Sequence, residues 1–441
     1  MPSNSRIMTS YLLLLTVVEI PIEAFTVRTP IRGQIMRKLK AGELDPGFGN
    51  DGIHPLEPHG DFFQAFGLSR SDNGELFVAG SSDGSERNFT NFVLIKLDPR
   101  GEREKSFATN GVLEARFSPD ASLSSVGLKA FPLENSNIVL IGQFNNGTNA
   151  PLPGLAQVRP DGTFDTDFAD QGTHVVRTSL IPEYGAPSGT VIDGSRQSSG
   201  AWVTINPHVA GPELTMTLIV MTRANGTPAT EFNDGKGYVE LPLSGGEETR
   251  LNAIAVDQRD AILVCGHTTD VRGIKTGIVM RFQPNGMEDK SFANNGALQS
   301  TELYFDNLLP CDDRILCCGS TRSGEALIAQ LDRDGNPLHS PSITPAEVST
   351  CWIKVAWHDN HILALGEQQF PFGTGTVVAR FNERGILDPS FGRDGGWTSI
   401  LFNGQPAEPR DIVIDSSGIL VLASAKDLTG SQTHFLARLL N

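Results

Sequence analysis

Cysteine is scarce in this chain of 441 residues: none precedes Cys265, and only Cys311, Cys317, Cys318 and Cys351 follow it. An odd number so distributed is not the disulfide framework of a small secreted domain. The adjacent pair Cys317-Cys318 lacks the CxxC spacing of redox sites. Cys265, in Leu263-Val264-Cys265-Gly266, stands where Phe77-Val78-Ala79-Gly80 has alanine, and reads as a small residue of a buried strand. Unpaired cysteines favour a cytoplasmic compartment, with secretion or the cell surface as the alternative. Tryptophan and tyrosine number only four each. Positive charge is also short, 35 Lys and Arg against 51 Asp and Glu, and a net charge of −16 repels nucleic-acid phosphates and anionic membranes. The apolar run from Tyr11 to Ile22 is too short to span a bilayer and is broken by Glu19, so no stable membrane insertion is expected. The motifs HExxH and Gly-x-x-x-x-Gly-Lys are missing, which removes two familiar routes to hydrolysis and nucleotide binding.

Phenylalanine and glycine are plentiful instead, at 24 and 46 residues. The phenylalanines recur within one pattern, Leu-Asp-Pro-x-Phe-Gly-x-x-Gly. It opens at Leu44-Asp45-Pro46-Gly47-Phe48-Gly49 and closes at Leu387-Asp388-Pro389-Ser390-Phe391-Gly392. Between them stand Phe107, Phe168, Phe232 and Phe292, so the first five copies lie 59, 61, 64 and 60 residues apart. From Phe292 to Phe391 is 99 residues, room for two short repeats, and a degenerate copy falls at Leu338 to Ile343.

Each copy is followed by the same program. An apolar segment such as Ala65-Phe66-Gly67-Leu68 leads through the turn Ser71-Asp72-Asn73-Gly74 to the strand-like run Glu75-Leu76-Phe77-Val78-Ala79-Gly80. A variable loop, an alternating strand Phe92-Val93-Leu94-Ile95-Lys96-Leu97 and the turn Asp98-Pro99-Arg100-Gly101 complete it. Alternation between Gly-bearing turns signals β-hairpins. Gly111-Val112-Leu113-Glu114-Ala115 supplies a fourth strand. Seven second-strand runs occur, near Leu76, Ile138, Trp202, Ile262, Ile315, Ile362 and Ile419. The expected fold is all-β: a seven-bladed β-propeller of four-stranded antiparallel blades. The C-terminal stretch His434 to Leu440 matches a third strand, and residues 44 to 56 match the fourth that follows it. The last blade is therefore expected to be composite, shared between the two chain ends, which removes two free sheet edges and suits a monomer.

These copies resemble the delta-60 repeat, whose marks are Leu-Asp-x-x-Phe-Gly-x-x-Gly and a downstream strand ending in Ala-Gly. The resemblance covers residues 44 to 441. It implies a β-propeller of bacterial type and says little of chemistry. The chain departs from it at Val203-Thr204-Ile205-Asn206 and near Pro341.

Residues 1–35 stand apart as an extension, disordered or a weak targeting segment, with Met36 eight residues before the first motif; residues 36–441 make the propeller. Asp165, Asp167 and Asp170 lack EF-hand spacing and read as parts of a turn around Phe168 rather than a cation loop. His358 and His361 flank a solvent-facing turn. One pattern points to a ligand. The segment feeding each blade's first strand carries acid: Asp61, Asp120, Glu183, Glu247 with Glu248, Glu302, Glu347 and Glu408. At a channel mouth, such acids focus negative potential on a divalent cation (calcium or magnesium), an amine or a basic peptide. The expected function is non-catalytic: a binding or scaffold propeller that recognises a small molecule or protein partner at one face. The alternative is a lactonase- or glycosidase-like hydrolase working through these carboxylates and a divalent metal.

Overall fold

The computed structural model describes residues 39–56, 62–83, 89–119, 123–145, 151–180, 191–211, 214–241, 248–371, 373–393, 395–415, 417–426 and 432–441. The extension assigned to residues 1–35 lies outside them. The described residues form antiparallel β-sheets with one short helix, Phe232–Gly235. Five sheets have four strands each, joined in sequence order. A sixth has eight strands, in which the four from Cys351–His358 to Trp397–Phe402 are linked to the next group by two residue pairs, Leu401 with Pro406 and Phe402 with Gln405. In that second group Ile53–Pro55, the first described strand, pairs with Gln432–Leu439, the last.

The second strands are the apolar runs seen in the sequence, and Leu76 to Ser82 are buried throughout because sheets pack on both faces. Apart from Asp193–Arg196, the described first strands carry a bulge near their middle, as between Ala65 and Gly67, Gly127 and Lys129, and Phe305 and Asn307. That bulge explains the glycine of the Ala-Gly ending. A Cβ on Gly142 would stand 2.1 Å from the Val126 carbonyl oxygen, and one on Gly319 2.1 Å from that of Tyr304.

The motif phenylalanines are buried between sheets. Phe292 shares a cluster with Cys265 and Val279 of one sheet and Phe305, Ile315 and Leu327 of the next. In three copies, those of Phe48, Phe292 and Phe391, the motif Asp holds an Arg of the third strand, which lies over the ring. Arg281 pairs with Asp289 at 2.7 Å and sits 4.9 Å from the Phe292 centroid; Arg438, Asp45 and Phe48 repeat this at 2.7 and 4.6 Å. Asp165 likewise accepts from Arg159, Gln157 and Asn137, so this carboxylate is already committed within the protein.

Neighbouring sheets meet along their first strands. Phe63–Arg70 packs against Ser124–Pro132 on one side and Gln405–Asp415 on the other. His434 helps to fasten that second contact: its Nε2 lies 3.0 Å from the Phe63 carbonyl oxygen, and the Ala65 N–H points at its Nδ1. Burial lowers the His434 pKa to about 4, with the Phe63 and Glu408 oxygens opposing and Arg410 assisting. The folded protein thus keeps this ring neutral where an unfolded chain would bind a proton below pH 6.5. Stability is intact above pH 6.5 and falls as the pH drops toward 4, by about 3 kcal/mol at pH 4 for this group alone. His267, also lowered to about 4 by burial, acts in the same direction. The comparison of wild type with His434→Gln isolates the first effect: urea midpoints at pH 7 and pH 4.5 should differ less in the variant, and equal pH slopes would refute the assignment.

Candidate functional site

Side chains in a strand alternate between its faces, so residues at one register on several strands can share a wall. The register is fixed by pairing with the second strands. Lys129 lies opposite Ile141, Asp193 opposite Ile205, Asn307 opposite Cys318, Lys354 opposite Leu365 and Asp411 opposite Leu422. Gly67 and Ala253 occupy the same place in the other two first strands, opposite Ala79 and Cys265. Two residues further along each strand stand Ser69, Phe131, Ser195, Ala255, Leu309, Ala356 and Val413.

These strands wall one cavity of about 650 Å³, with segments around Leu68, Lys129, Asp193, Ile254, Asn307, Lys354 and Asp411 contributing. Its collar is largely apolar (Phe131, Leu309, Val413) and its charged layer is balanced. Lys129 Nζ donates to Asp193 Oδ1 and to the Gly194 carbonyl, both at 3.1 Å. Asp193 Oδ2 accepts the Ile254 N–H at 3.1 Å, and Asp411 accepts the N–H groups of Leu68 and Ile412 at 2.9 Å each. Polar residues of this layer therefore tie one sheet's first strand to the next. Burial opposes the charge on Asp193, but Lys129 and Lys354 outweigh it and hold its pKa below the usual value. Burial also opposes the Lys354 ammonium, and Asp411 and Asp193 outweigh it, raising that pKa.

Of the eight acids singled out in the sequence, four are among the described residues. Asp61, Asp120, Glu183 and Glu247 fall outside the described residues. Glu248 accepts from Arg250 at 2.7 Å, Glu302 lies 3.7 Å from Arg322, and Glu408 lies 2.8 Å from Arg410 and 3.6 Å from Lys426. Glu347 is exposed. None of these four lines the 650 Å³ cavity. Among the described residues no group of three His, Cys, Asp or Glu side chains is arranged to hold a metal ion. Glu408 does have acidic company. Burial, then Glu408 and Asp306, raise the Glu367 pKa, and burial raises that of Asp306, which accepts from Cys351 Sγ and Asn252 Nδ2 at 3.1 Å. The signal missed in the sequence was a single charge inside an apolar first strand, as in Leu128-Lys129-Ala130 and Ile353-Lys354-Val355.

One family model matches this chain. It is the "Domain of unknown function (DUF5122) beta-propeller", over residues 135–168. The stretch holds the strands Ile138–Asn145 and Leu152–Val158 and ends on the motif Phe168, and it supports a β-propeller repeat. No curated protein matches. Among solved structures, the Trypanosoma rangeli sialidase in complex with the inhibitor DANA is similar at 8% identity and TM-score 0.43, covering 70% of this chain and 54% of the other. The chain thus spans about half the length of that sialidase. A Dyadobacter fermentans protein of unknown function is similar at 11% identity and TM-score 0.43, over 88% and 99% of the two chains. The WD40 beta-propeller domain of Doa1 is similar at 11% identity and TM-score 0.41, over 85% and 92%. No helix among the described residues is long and apolar enough to cross a membrane.

Proposed function

We propose that residues 36–441 form one closed, seven-bladed β-propeller of the delta-60 kind, a monomer whose seventh blade is shared between the chain ends. The contacts of Phe63–Arg70 with both Ser124–Pro132 and Gln405–Asp415, and the pairing of Ile53–Pro55 with Gln432–Leu439, support this reading. Its function is binding without catalysis, with a small organic molecule held in the axial cavity. The carrying observation is that one cavity of about 650 Å³, within the usual range for small-molecule sites, is walled by first strands and combines an apolar collar with a charged floor. Thermal-shift measurements with a panel of acids, sugars, amines and divalent cations test it. At least one organic class should raise the melting temperature, and Ala255→Phe, which places a ring on the cavity wall, should abolish that rise. A shift from divalent cations alone, or none from any class, contradicts the reading.

The second reading is a lactonase- or glycosidase-like hydrolase that uses the carboxylates near Glu408, with or without calcium or magnesium. Its support is that burial, then Glu408 and Asp306, shift Glu367 toward the protonated form, and that burial does the same to Asp306. A carboxyl kept protonated by burial is suited to act as a general acid. The sequence-derived ring of Asp61, Asp120, Glu183, Glu247, Glu248, Glu302, Glu347 and Glu408 belongs to this reading. A melting-temperature shift with calcium or magnesium and turnover of chromogenic lactones or glycosides would favour it.

A further inference from the structure

The charged layer of the cavity is uneven in how its members are engaged. Lys129 and Asp193 bond to each other, and every carboxylate oxygen of Asp193 and Asp411 already accepts a hydrogen bond. Lys354 differs. Among the described residues no hydrogen bond or ion pair engages its ammonium group, although it lines the cavity and feels Asp411 and Asp193 electrostatically. Lys354 is half-buried and faces the cavity, so its ammonium group is reachable by a ligand there, and a charged oxygen can supply the hydrogen bond that the protein does not.

This inference rests on the reading of the cavity as a small-molecule site. We propose that the ligand is a small organic monocarboxylate with an apolar body, and that Lys354 receives its carboxylate. A carboxylate forms a charge-assisted bond about twice as strong as a neutral acceptor does. A single negative charge matches the single unengaged cation. A dianion such as a phosphate monoester would bring surplus negative charge against Asp193 and Asp411. An amine finds the two carboxylates already occupied. The apolar body is set by Phe131, Leu309 and Val413, which stand one register step above the charged layer.

Isothermal titration at pH 7 of the full chain with phenylacetate, phenylacetamide and phenethylamine reads the proposal directly. Phenylacetate should bind at least tenfold more tightly than the amide. That preference should vanish in Lys354→Met and persist in Lys354→Arg. Equal affinity of acid and amide, tighter binding of the amine, or a preference that survives Lys354→Met overturns the proposal and leaves the cavity reading standing. If these three fail while another class from the wider panel binds, the carboxylate assignment alone falls; if nothing binds, both fall. Should Lys354→Met not fold, the acid-to-amide ratio in wild type and Lys354→Arg still decides.

Discussion

A chain beginning at Glu57 should fail to fold, whereas one that begins at Phe62 and carries residues 41–56 fused directly after Asn441 should fold and keep the wild-type transition. The pairing at the seam sets both outcomes. Gly42 N–H bonds to the Leu440 carbonyl at 2.7 Å, Leu440 N–H to Glu43 at 2.8 Å and Asp45 N–H to Arg438 at 2.8 Å. The continuous turn at Asp98 has the same set: Gly101 to Asp98 at 2.9 Å, Asp98 to Glu102 at 2.8 Å and Glu104 to Lys96 at 3.0 Å. Leu440, Asn441, Ala41 and Gly42 thus stand where Asp98, Pro99, Arg100 and Gly101 stand, and joining Asn441 to Ala41 restores a turn of equal length. Truncation removes the Ile53–Pro55 strand, the buried Phe48 and Leu56, and the bond from Gly392 N–H to the Ala41 carbonyl. Loss of a buried Phe costs about 3–5 kcal/mol and whole domains hold roughly 5–15, so the truncated chain has little left. Circular dichroism and urea titration of the two proteins provide the check. A stably folded truncated chain, or a permutant that does not fold, would show that the ends do not share one blade.

Strand order and turns were legible because they rest on local chemistry. Even the degenerate copy obeys it. Leu338 N–H bonds to the Gln330 carbonyl as Asp289 N–H does to Arg281, which puts Pro341 where Phe292 stands. Arg, Asp and Phe are all absent there, and a Cβ on the next turn's Gly385 would meet Ser342 and Gln330 instead of a ring. Ser342–Thr344 still supplies the fourth strand, because pairing depends on the backbone.

The site was less legible. Acids were sought in the segments leading into the first strands, where composition draws the eye. The polar residues that meet in the cavity are single positions, Lys129, Asp193, Asn307, Lys354 and Asp411, separated by 64, 114, 47 and 57 residues. Their common register depends on a bulge that no local motif announces, and a one-residue slip moves a side chain to the other face. The glycine of Gly142 and Gly319 was visible as a repeat mark, but the carbonyl oxygen it makes room for belongs to the neighbouring strand.

Phe292→Ala should lower stability by about 4 kcal/mol, the range for a large aromatic removed from a closed core. Three contacts make the site slow to collapse. The ring is fully buried between two sheets, Arg281 lies over one face, and Gly335 of the following turn approaches so closely that a Cβ there would stand 2.6 Å from the ring. Removing the ring leaves Arg281 over a void, held at its edge by Asp289, Ser291, Asp334 and the Arg333 carbonyl. The Ala293 N–H to Asp334 bond, which ties this motif to the next turn at 2.6 Å, loses the packing beneath it. Phe292→Leu, which keeps most of the volume, should cost less than half as much. Urea midpoints of the three proteins decide the matter, and hydrogen exchange adds the location: amides of Lys275–Phe282 and Arg314–Thr321, on the two sides of the ring, should exchange faster together. A cost below about 1 kcal/mol, or loosening of only one sheet, would mean that the recurrent phenylalanine belongs to a single sheet and does not lock neighbours, and the repeat would then need another source of cohesion.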